Sequence, residues 1–564
     1  MDTGGFSSAT AAADEFNKRE IAQKTYARDF INRLCAQGIH LAVVTNKRMK
    51  PSTLHPFFIL LLIGILSGSE PTCSSRVSAH PPNIVFLIAD DWSYPHAGAY
   101  GDKVVETPTF DRLAAEGALF RNAYCAAPSC SPSRAAILTG RYPHQLESAA
   151  NLWSVFPAKF PNWVSRLEEA GYFTGKTRKG WGPGDEKRGG YPHNPAGPHF
   201  ESFREFLDAR PPGKPYCYWF GGYDPHRPYD SSMGIRAGMN LEEVEVPGFL
   251  PDRECIRNDI LDYYFEVERF DRDCGEIIRR LENAGDLDNT IIVMTSDNGM
   301  PFPRAKANVY DYGARMPLAI SWKGKIKPGT VIGDFMNFVD FAPTFLEAAG
   351  LAVPESMYGQ SLLPLLLPDN TKLSRRNPAR DRVFLERERH ANARRGDLGY
   401  PIRAIRTRKF LYIRNFEPER WPAGDPGAHQ SVGQYGDVDN SITKFLIMDM
   451  EGQGGSPDFF QLAFGKRPAE ELYQVSNDPY QLDNLAPRPE FRKERKKLKA
   501  SLAKWMAATG DLRAAEPQTT YWDSVEFTTN FALDNFDLEK EIKNYYFLKP
   551  GPGMQFREVP CKED

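Results

Sequence analysis

Two short acidic runs and one cysteine carry most of the chemistry this chain offers. Asp90-Asp91 follows the apolar run from Asn83 to Ala89, and Asp297-Asn298 follows a second, from Ile291 to Ser296. Unbroken apolar runs suit parallel strands covered on both faces. In open α/β sheets, ligands bind beyond the carboxyl ends of such strands. Adjacent carboxylates placed there repel unless a cation lies beside them, and oxygen donors from two strand ends suit calcium or magnesium. Solvated loop acids are the alternative reading of each run taken alone. Cys130 opens the stretch Cys130-Ser131-Pro132-Ser133-Arg134-Ala135-Ala136-Ile137-Leu138-Thr139-Gly140. Pro132 fits a first helical turn, where its missing N–H has no partner to lose. The residues from Ala135 to Leu138 continue a helix and Gly140 stops it. Cys130 then sits at a helix N-terminus, where free N–H groups favour an anion, and Arg134 can point back toward it. A buried structural thiol is the competing reading.

The elements that must position these groups are legible nearby. Tyr216 to Phe220 reads as another buried strand, ending in Asp224-Pro225-His226-Arg227-Pro228. A histidine in a Pro-rich loop is ordinarily structural, but a place after a strand end favours function. Ile256, Ile260, Tyr264, Val267, Phe270, Ile277 and Leu281 recur at helical spacing, and Gly285 closes that helix. Leu498, Leu502 and Trp505 mark a second amphipathic helix, with the basic run from Arg492 to Lys499 as its solvated face.

Cys130-x-Pro132-Ser133-Arg134, followed by Leu138-Thr139-Gly140-Arg141, closely resembles the signature of the type I sulfatases of the alkaline-phosphatase superfamily. The resemblance covers roughly residues 82–512. It implies an α/β fold: a mixed, mostly parallel alkaline-phosphatase-like sheet flanked by helices, with a smaller C-terminal α+β subdomain. It also implies that a formylglycine-generating enzyme oxidises Cys130 to formylglycine, an aldehyde whose hydrate is the nucleophile. Asp90, Asp91, Asp297 and Asn298 match the family's ligands to one calcium ion, completed by residue 130. Arg134, Lys179, His226 and Lys306 match its other active-site positions, with Arg304 a substitute for Lys306.

One departure is sharp. The family reads Gly-Lys-Trp-His after Ala-Gly-Tyr, whereas this chain reads Gly175-Lys176-Thr177-Arg178-Lys179-Gly180-Trp181. Lys179 takes the lysine in the ungapped comparison and Lys176 in a shifted one. The histidine falls on Trp181 or on Arg178. An imidazole suits proton transfer near neutrality, a role that Trp and Arg cannot fill. His144, His193, His199 and His226 are the candidates to replace it.

Phrases such as Asp224-Pro-His-Arg-Pro, Asp297-Asn-Gly-Met-Pro-Phe-Pro and Tyr400-Pro-Ile-Arg403 look most like the sulfoglucosamine sulfohydrolase (heparan N-sulfatase) branch. That branch implies sulfate esters or sulfamates of a sulfated carbohydrate as substrate. It also makes the charge-dense segment from Glu386 to Arg408 a pocket loop, with Lys176, His390, Arg394 and Arg403 as substrate-binding candidates. A solvated charge cluster is the competing reading of that segment. Three other readings stay open: a phosphonate or phosphate-diester hydrolase of the same superfamily, a catalytically impaired glycan-binding relative, and a choline- or aryl-sulfatase specificity, since substrate pockets lie on variable loops.

The 564 residues are enough for a large core and a second domain, and the net charge of −3 makes no case for nucleic-acid binding. Eight cysteines in this length do not form a disulfide scaffold. From Met49 a short basic region, ten apolar residues from Phe57 to Leu66 and a small-residue stretch read as a secretory signal peptide. The apolar run is short for a membrane span. The expected organisation is an upstream extension (1–48), a signal peptide and linker (49–79), a catalytic domain (80–370), a C-terminal subdomain (371–515) and a tail (516–564). The protein is expected to be exported, periplasmic or extracellular, with no stable membrane span after cleavage.

Overall fold

The structure, a computed structural model, describes residues 81–367, 377–427 and 431–528. The expected extension and signal peptide, part of the loop between the two domains and the tail beyond 528 lie outside the described residues. Among the described residues no helix is long and apolar enough to cross a membrane.

The large sheet is built from β1 (Asn83–Ala89), β2 (Ala118–Tyr124), β3 (Phe173–Arg178), β4 (Tyr216–Gly221), β5 (Thr290–Ser296), β6 (Arg315–Met316), β7 (Leu318–Trp322) and β8 (Thr330–Asn337). Its order is β8-β2-β7-β5-β1-β4-β3, with β6 paired to β2. β1 runs parallel to both neighbours, and only β6 and β7 run against the rest.

Both faces of β1 are buried, which explains its lack of polar alternation. On one side Phe86 packs against Trp163, Trp219, Phe341 and Phe345. On the other, Val85 and Leu87 join a cluster with Phe110, Ile260, Val267 and Phe270. Each such side chain contributes about 1.5–3 kcal/mol by leaving water. The second cluster is completed by the helix Glu254–Ala284, whose seven periodic apolar residues are all buried. Gly285 caps it in the left-handed region, at φ 71°.

Register places the site. Ala89 pairs with Ser296, Ile88 with Gly221, and Gly221 with Arg178. Four parallel strands therefore end level, and Asp90, Asp297, Gly222 and Lys179 are each the next residue at one sheet edge. Backbone bonds extend the ladder one step: Asp297 N to Ala89 O (3.2 Å), Gly222 N to Ile88 O (2.8 Å) and Lys179 N to Gly221 O (3.0 Å).

The second sheet is antiparallel, β9 (Arg382–Arg387), β10 (Ile402–Thr407), β11 (Leu411–Asn415) and β12 (Glu470–Tyr473), in that order. Helix Arg492–Ala508 packs on it through Leu498, Leu502 and Trp505. Glu386 N donates to Ala126 O (2.9 Å), which stitches this sheet to the segment leading into Cys130. The first residues of the expected tail are well anchored: Trp522 is buried, its carbonyl accepts from Asn151, and Asp523 pairs with Arg420.

Candidate active site

Cys130 begins a helix, Cys130–Thr139, in which every residue is buried, and Gly140 ends it at φ 65°. Ser129 is the N-cap, but its hydroxyl bonds His390 Nδ1 (2.8 Å) instead of the helix N–H groups. The helix is clamped at three points. Ser133 Oγ donates to Asp297 O (2.6 Å), Trp181 Nε1 donates to Ser131 O (3.0 Å), and Arg134 Nε donates to Asp297 Oδ2 (2.7 Å). Arg134 Nη1 also serves the carbonyls of Lys179 and Gly180, at 3.0 and 2.9 Å. One guanidinium thus ties the helix, the Asp297 loop and the Lys179 loop together.

Asp90, Asp91, Cys130 and Asp297 bring one side-chain ligand atom each to within 4.8 Å of one another. Asp90 Oδ1 lies 3.4 Å from Cys130 Sγ, and Asn298 Nδ2 donates to Asp297 Oδ1 (2.6 Å) beside them. Consecutive side chains on a strand point to opposite faces. Asp91 escapes that rule by adopting φ 79°, in the left-handed region that Asp tolerates better than most residues.

The cations are arranged around this cluster. Lys179 Nζ reaches Asp90 Oδ2 at 2.6 Å, and Lys306 Nζ bonds Asp91 Oδ2. His226 Nε2 lies 3.9 Å from the same oxygen. Its Nδ1 faces the Arg227 carbonyl at 2.6 Å, so Nδ1 carries the proton that is donated there. Burial alone raises Asp90, but Lys179, His226, Arg134 and Lys306 overcome it and hold the carboxyl well below its usual range. Burial would lower Lys179, yet Asp90 pushes it up to about 12. Burial wins at Asp91, which rises to about 6 despite Lys306 and His226. Burial, reinforced by Asp90, likewise lifts the Cys130 thiol far above its usual range. As a thiol, Cys130 stays protonated and is a poor nucleophile.

Two buried oxygens in the cluster, Asp91 Oδ1 and Asn298 Oδ1, accept no hydrogen bond. Such atoms cost about 1–3 kcal/mol each when left unpaired. Carboxylate oxygens gathered this closely, with an amide beside them, are the donor set of a hard cation. The residues present therefore fit a hard divalent cation.

The other expected residues fall into two groups. His390 is brought near, against Ser129, and burial lowers it to about 3. Lys176 is not brought in: its ammonium serves Arg178 O (2.8 Å) and His199 Nδ1 (3.3 Å). Arg394 braces a neighbouring loop through Asp437 (2.5 Å) and Trp421 O (2.7 Å). Arg403 is fully buried between Asp511 (2.7 Å), Glu388 (2.6 Å) and Glu386 (3.3 Å), where a substrate has no access. Arg304 donates to the carbonyls of Leu462 and Gln481, away from the carboxylates.

Of the four candidate imidazoles only His226 reaches the cluster. His144 pairs with Glu386 (2.5 Å), His193 with Glu168 (3.4 Å) and His199 with Glu201 (3.2 Å). Arg178 turns to Asp273 (2.6 Å), and Trp181 packs on Phe156. The indole therefore supports the helix that starts at Cys130. Sequence reasoning missed Asp439, whose Oδ2 lies 3.4 Å from Lys306 Nζ. The acidic phrase Asp437-Val438-Asp439-Asn440 was its only local signal.

Comparison with known proteins agrees with this geometry. The Sulfatase family model matches residues 82–203 and 194–351, and the model for the C-terminal part of N-sulphoglucosamine sulphohydrolase matches residues 304–422. Residues 82–351 therefore carry a sulfatase-family domain, followed by a segment that matches the C-terminal part of N-sulphoglucosamine sulphohydrolase. It is 29% identical over 488 residues to the human N-sulphoglucosamine sulphohydrolase, covering 77% of this chain and 91% of that one. It is 28% identical over 477 residues to an ulvan-active sulfatase of Formosa agariphila, covering 76% and 75%. Among solved structures, one in complex with its substrate D-glucosamine-2-N,6-O-disulfate superposes with a TM-score of 0.56 at 22% identity, over 77% of this chain and 99% of that one. The phosphonate monoester hydrolase of Agrobacterium radiobacter shares the fold as well, with a TM-score of 0.53 at 18% identity, over 76% and 97%.

Proposed function

We propose that this protein is an exported, calcium- and formylglycine-dependent sulfatase that hydrolyses sulfate esters or sulfamates of a sulfated glycan. The observation that carries the proposal is the gathering of Asp90, Asp91, Asp297 and Cys130, with Asn298 beside them and two buried oxygens left open. Those four residues and residue 130 are the ones to hold calcium, which supplies positive charge beside the nucleophile and the sulfuryl oxygens. Formylglycine supplies a hydrated aldehyde, one hydroxyl to attack sulfur and a second through which sulfate leaves.

The chain's own residues do the rest. Arg134 fixes Asp297 and the start of the helix in one orientation. Lys179, on the Asp90 side, neutralises charge around residue 130 and the sulfuryl oxygens. Lys306 and His226 lie on the Asp91 side, where they stabilise the leaving atom, and His226 in its imidazolium form can hand it the proton on Nε2. Sulfated glycans are the substrate class because the curated relatives include an ulvan-active sulfatase and a sulphoglucosamine sulphohydrolase.

Trp181 in place of a base favours a second reading, a glycan-binding relative with impaired turnover. One experiment separates them. Protein matured with a formylglycine-generating enzyme is incubated with sulfated polysaccharides, glucosamine sulfates and a phosphate ester, and released anion is quantified. Sulfate release that is absent in Cys130→Ala supports the sulfatase. Glycan binding with no release supports the impaired relative, and preferential phosphate release supports the phosphatase branch.

A further inference from the structure

The loop Asp437–Asn440 delivers one side chain that the reaction above does not use. It is tightly built. Asp437 accepts from Ala391 N (2.9 Å) and Arg394 Nη2 (2.5 Å), and the buried Lys444 donates to Val438 O (2.8 Å) and Asn440 Oδ1 (3.0 Å). The helix that follows, Ile442–Asp449, is tied through Thr443 Oγ1 to Asp259. Asp259 in turn holds both terminal nitrogens of Arg227 at 2.8 Å, next to His226. Asp439 and His226 therefore come from two loops anchored on one carboxylate.

Side-chain atoms of Asp91, His226 and Asp439 lie within 4.8 Å of one another. A second divalent ion is not the reason. The Lys306 ammonium already bonds Asp91 and lies 3.4 Å from Asp439 Oδ2. That Oδ2 atom is buried against the ammonium, while the Asp439 side chain as a whole stays 22% exposed. The exposed part of this carboxylate repels an incoming sulfuryl group and is matched instead by a donor on the substrate. The sulfuryl group offers none, whereas the sugar offers N–H and O–H groups. An in-line displacement directs the leaving atom away from residue 130. Cys130 lies against Asp90, while Asp439 lies with Lys306 and His226 on the Asp91 side.

We propose that Asp439 determines specificity by accepting a hydrogen bond from a sugar N–H or O–H at, or next to, the sulfated atom. The site then favours amino- and hydroxyl-bearing sugar sulfates over sulfates without a neighbouring donor, and disfavours a carboxylate at that position. This rests on the sulfatase reading above.

The test compares matured wild type, Asp439→Asn and Asp439→Glu on glucosamine-2-N-sulfate, glucosamine-6-O-sulfate and 4-nitrophenyl sulfate, the last having no donor beside its sulfate. The readout is the ratio of kcat/KM for sugar over aryl substrate, because weakening Lys306 lowers both together. The ratio is expected to fall at least tenfold in Asp439→Asn, a modest part of what a hydrogen-bonding site can discriminate. Asp439→Glu keeps a charge near Lys306 but displaces the acceptor, so its ratio falls too, and it stands in if the Asn variant does not fold. A fall confined to the N-sulfate identifies the sulfamate N–H as the donor; a fall on the 6-O-sulfate identifies a hydroxyl. An unchanged ratio in both variants, with wild type active, overturns the role of Asp439 alone. A wild type that turns over none of the three removes the sulfatase reading and this inference with it.

Discussion

A cation held by this cluster would stabilise the fold in a way that can be measured without turnover. Asp91 Oδ1 and Asn298 Oδ1 are buried and unpaired. At about 1–3 kcal/mol each, the metal-free site carries roughly 2–6 kcal/mol of unmet polar cost that an ion can relieve. A ligand that binds only the native state stabilises it by about 2.7 kcal/mol when free ligand exceeds Kd a hundredfold. For a fold of this size 1 kcal/mol moves Tm by about 1 °C, so calcium at that excess should raise Tm by about 3 °C. The assay is thermal unfolding in chelator, in calcium and in magnesium. Asn298→Ala removes one ligand oxygen; a tenfold weaker Kd cuts the shift at the same calcium concentration by about half. Identical melting of wild type in calcium and in chelator would refute the cation site. A full shift retained by Asn298→Ala would remove Asn298 from it.

Other outcomes follow from single contacts. Arg134→Met leaves Asp297 buried without its partner, and should cost about 3–5 kcal/mol in denaturant unfolding as well as activity. Lys179→Ala should lower kcat at least about a hundredfold, as expected for a lost electrostatic group at the reacting centre, whereas Lys176→Ala should stay within a few-fold of wild type. Arg403→Ala should lower stability by about 3–5 kcal/mol and leave KM of the folded fraction unchanged, because its guanidinium serves three buried carboxylates. Trp181→Phe keeps the packing but loses the bond to Ser131 O, and should cost about 1 kcal/mol in unfolding experiments.

The strand ends were legible because burial on both faces writes itself as an unbroken apolar run, and β1 and β5 are such runs. The helix at Cys130 was legible because Pro132 and Gly140 bracket it. The segment from Glu386 to Arg408 was harder. Its charge density reads equally as a solvated face or a pocket, and the structure places much of it in neither. Arg403 meets Asp511 and Glu386 meets His144, partners 108 and 242 residues away. Asp439 was invisible for the same reason, since its relation to Lys306 spans the junction of the two sheets' loops and has no local spacing. Trp181 reads as a lost base in sequence; only its bond to Ser131 O reveals the role it took instead.

The central claim is that residue 130 acts as an oxidised cysteine rather than as a thiol. Its most direct test is the mass of the peptide containing residue 130, taken from protein purified by its sulfate-releasing activity. The account predicts an aldehyde at that position, reactive toward a hydrazide probe. Fully active protein whose residue 130 is entirely unmodified thiol would contradict it.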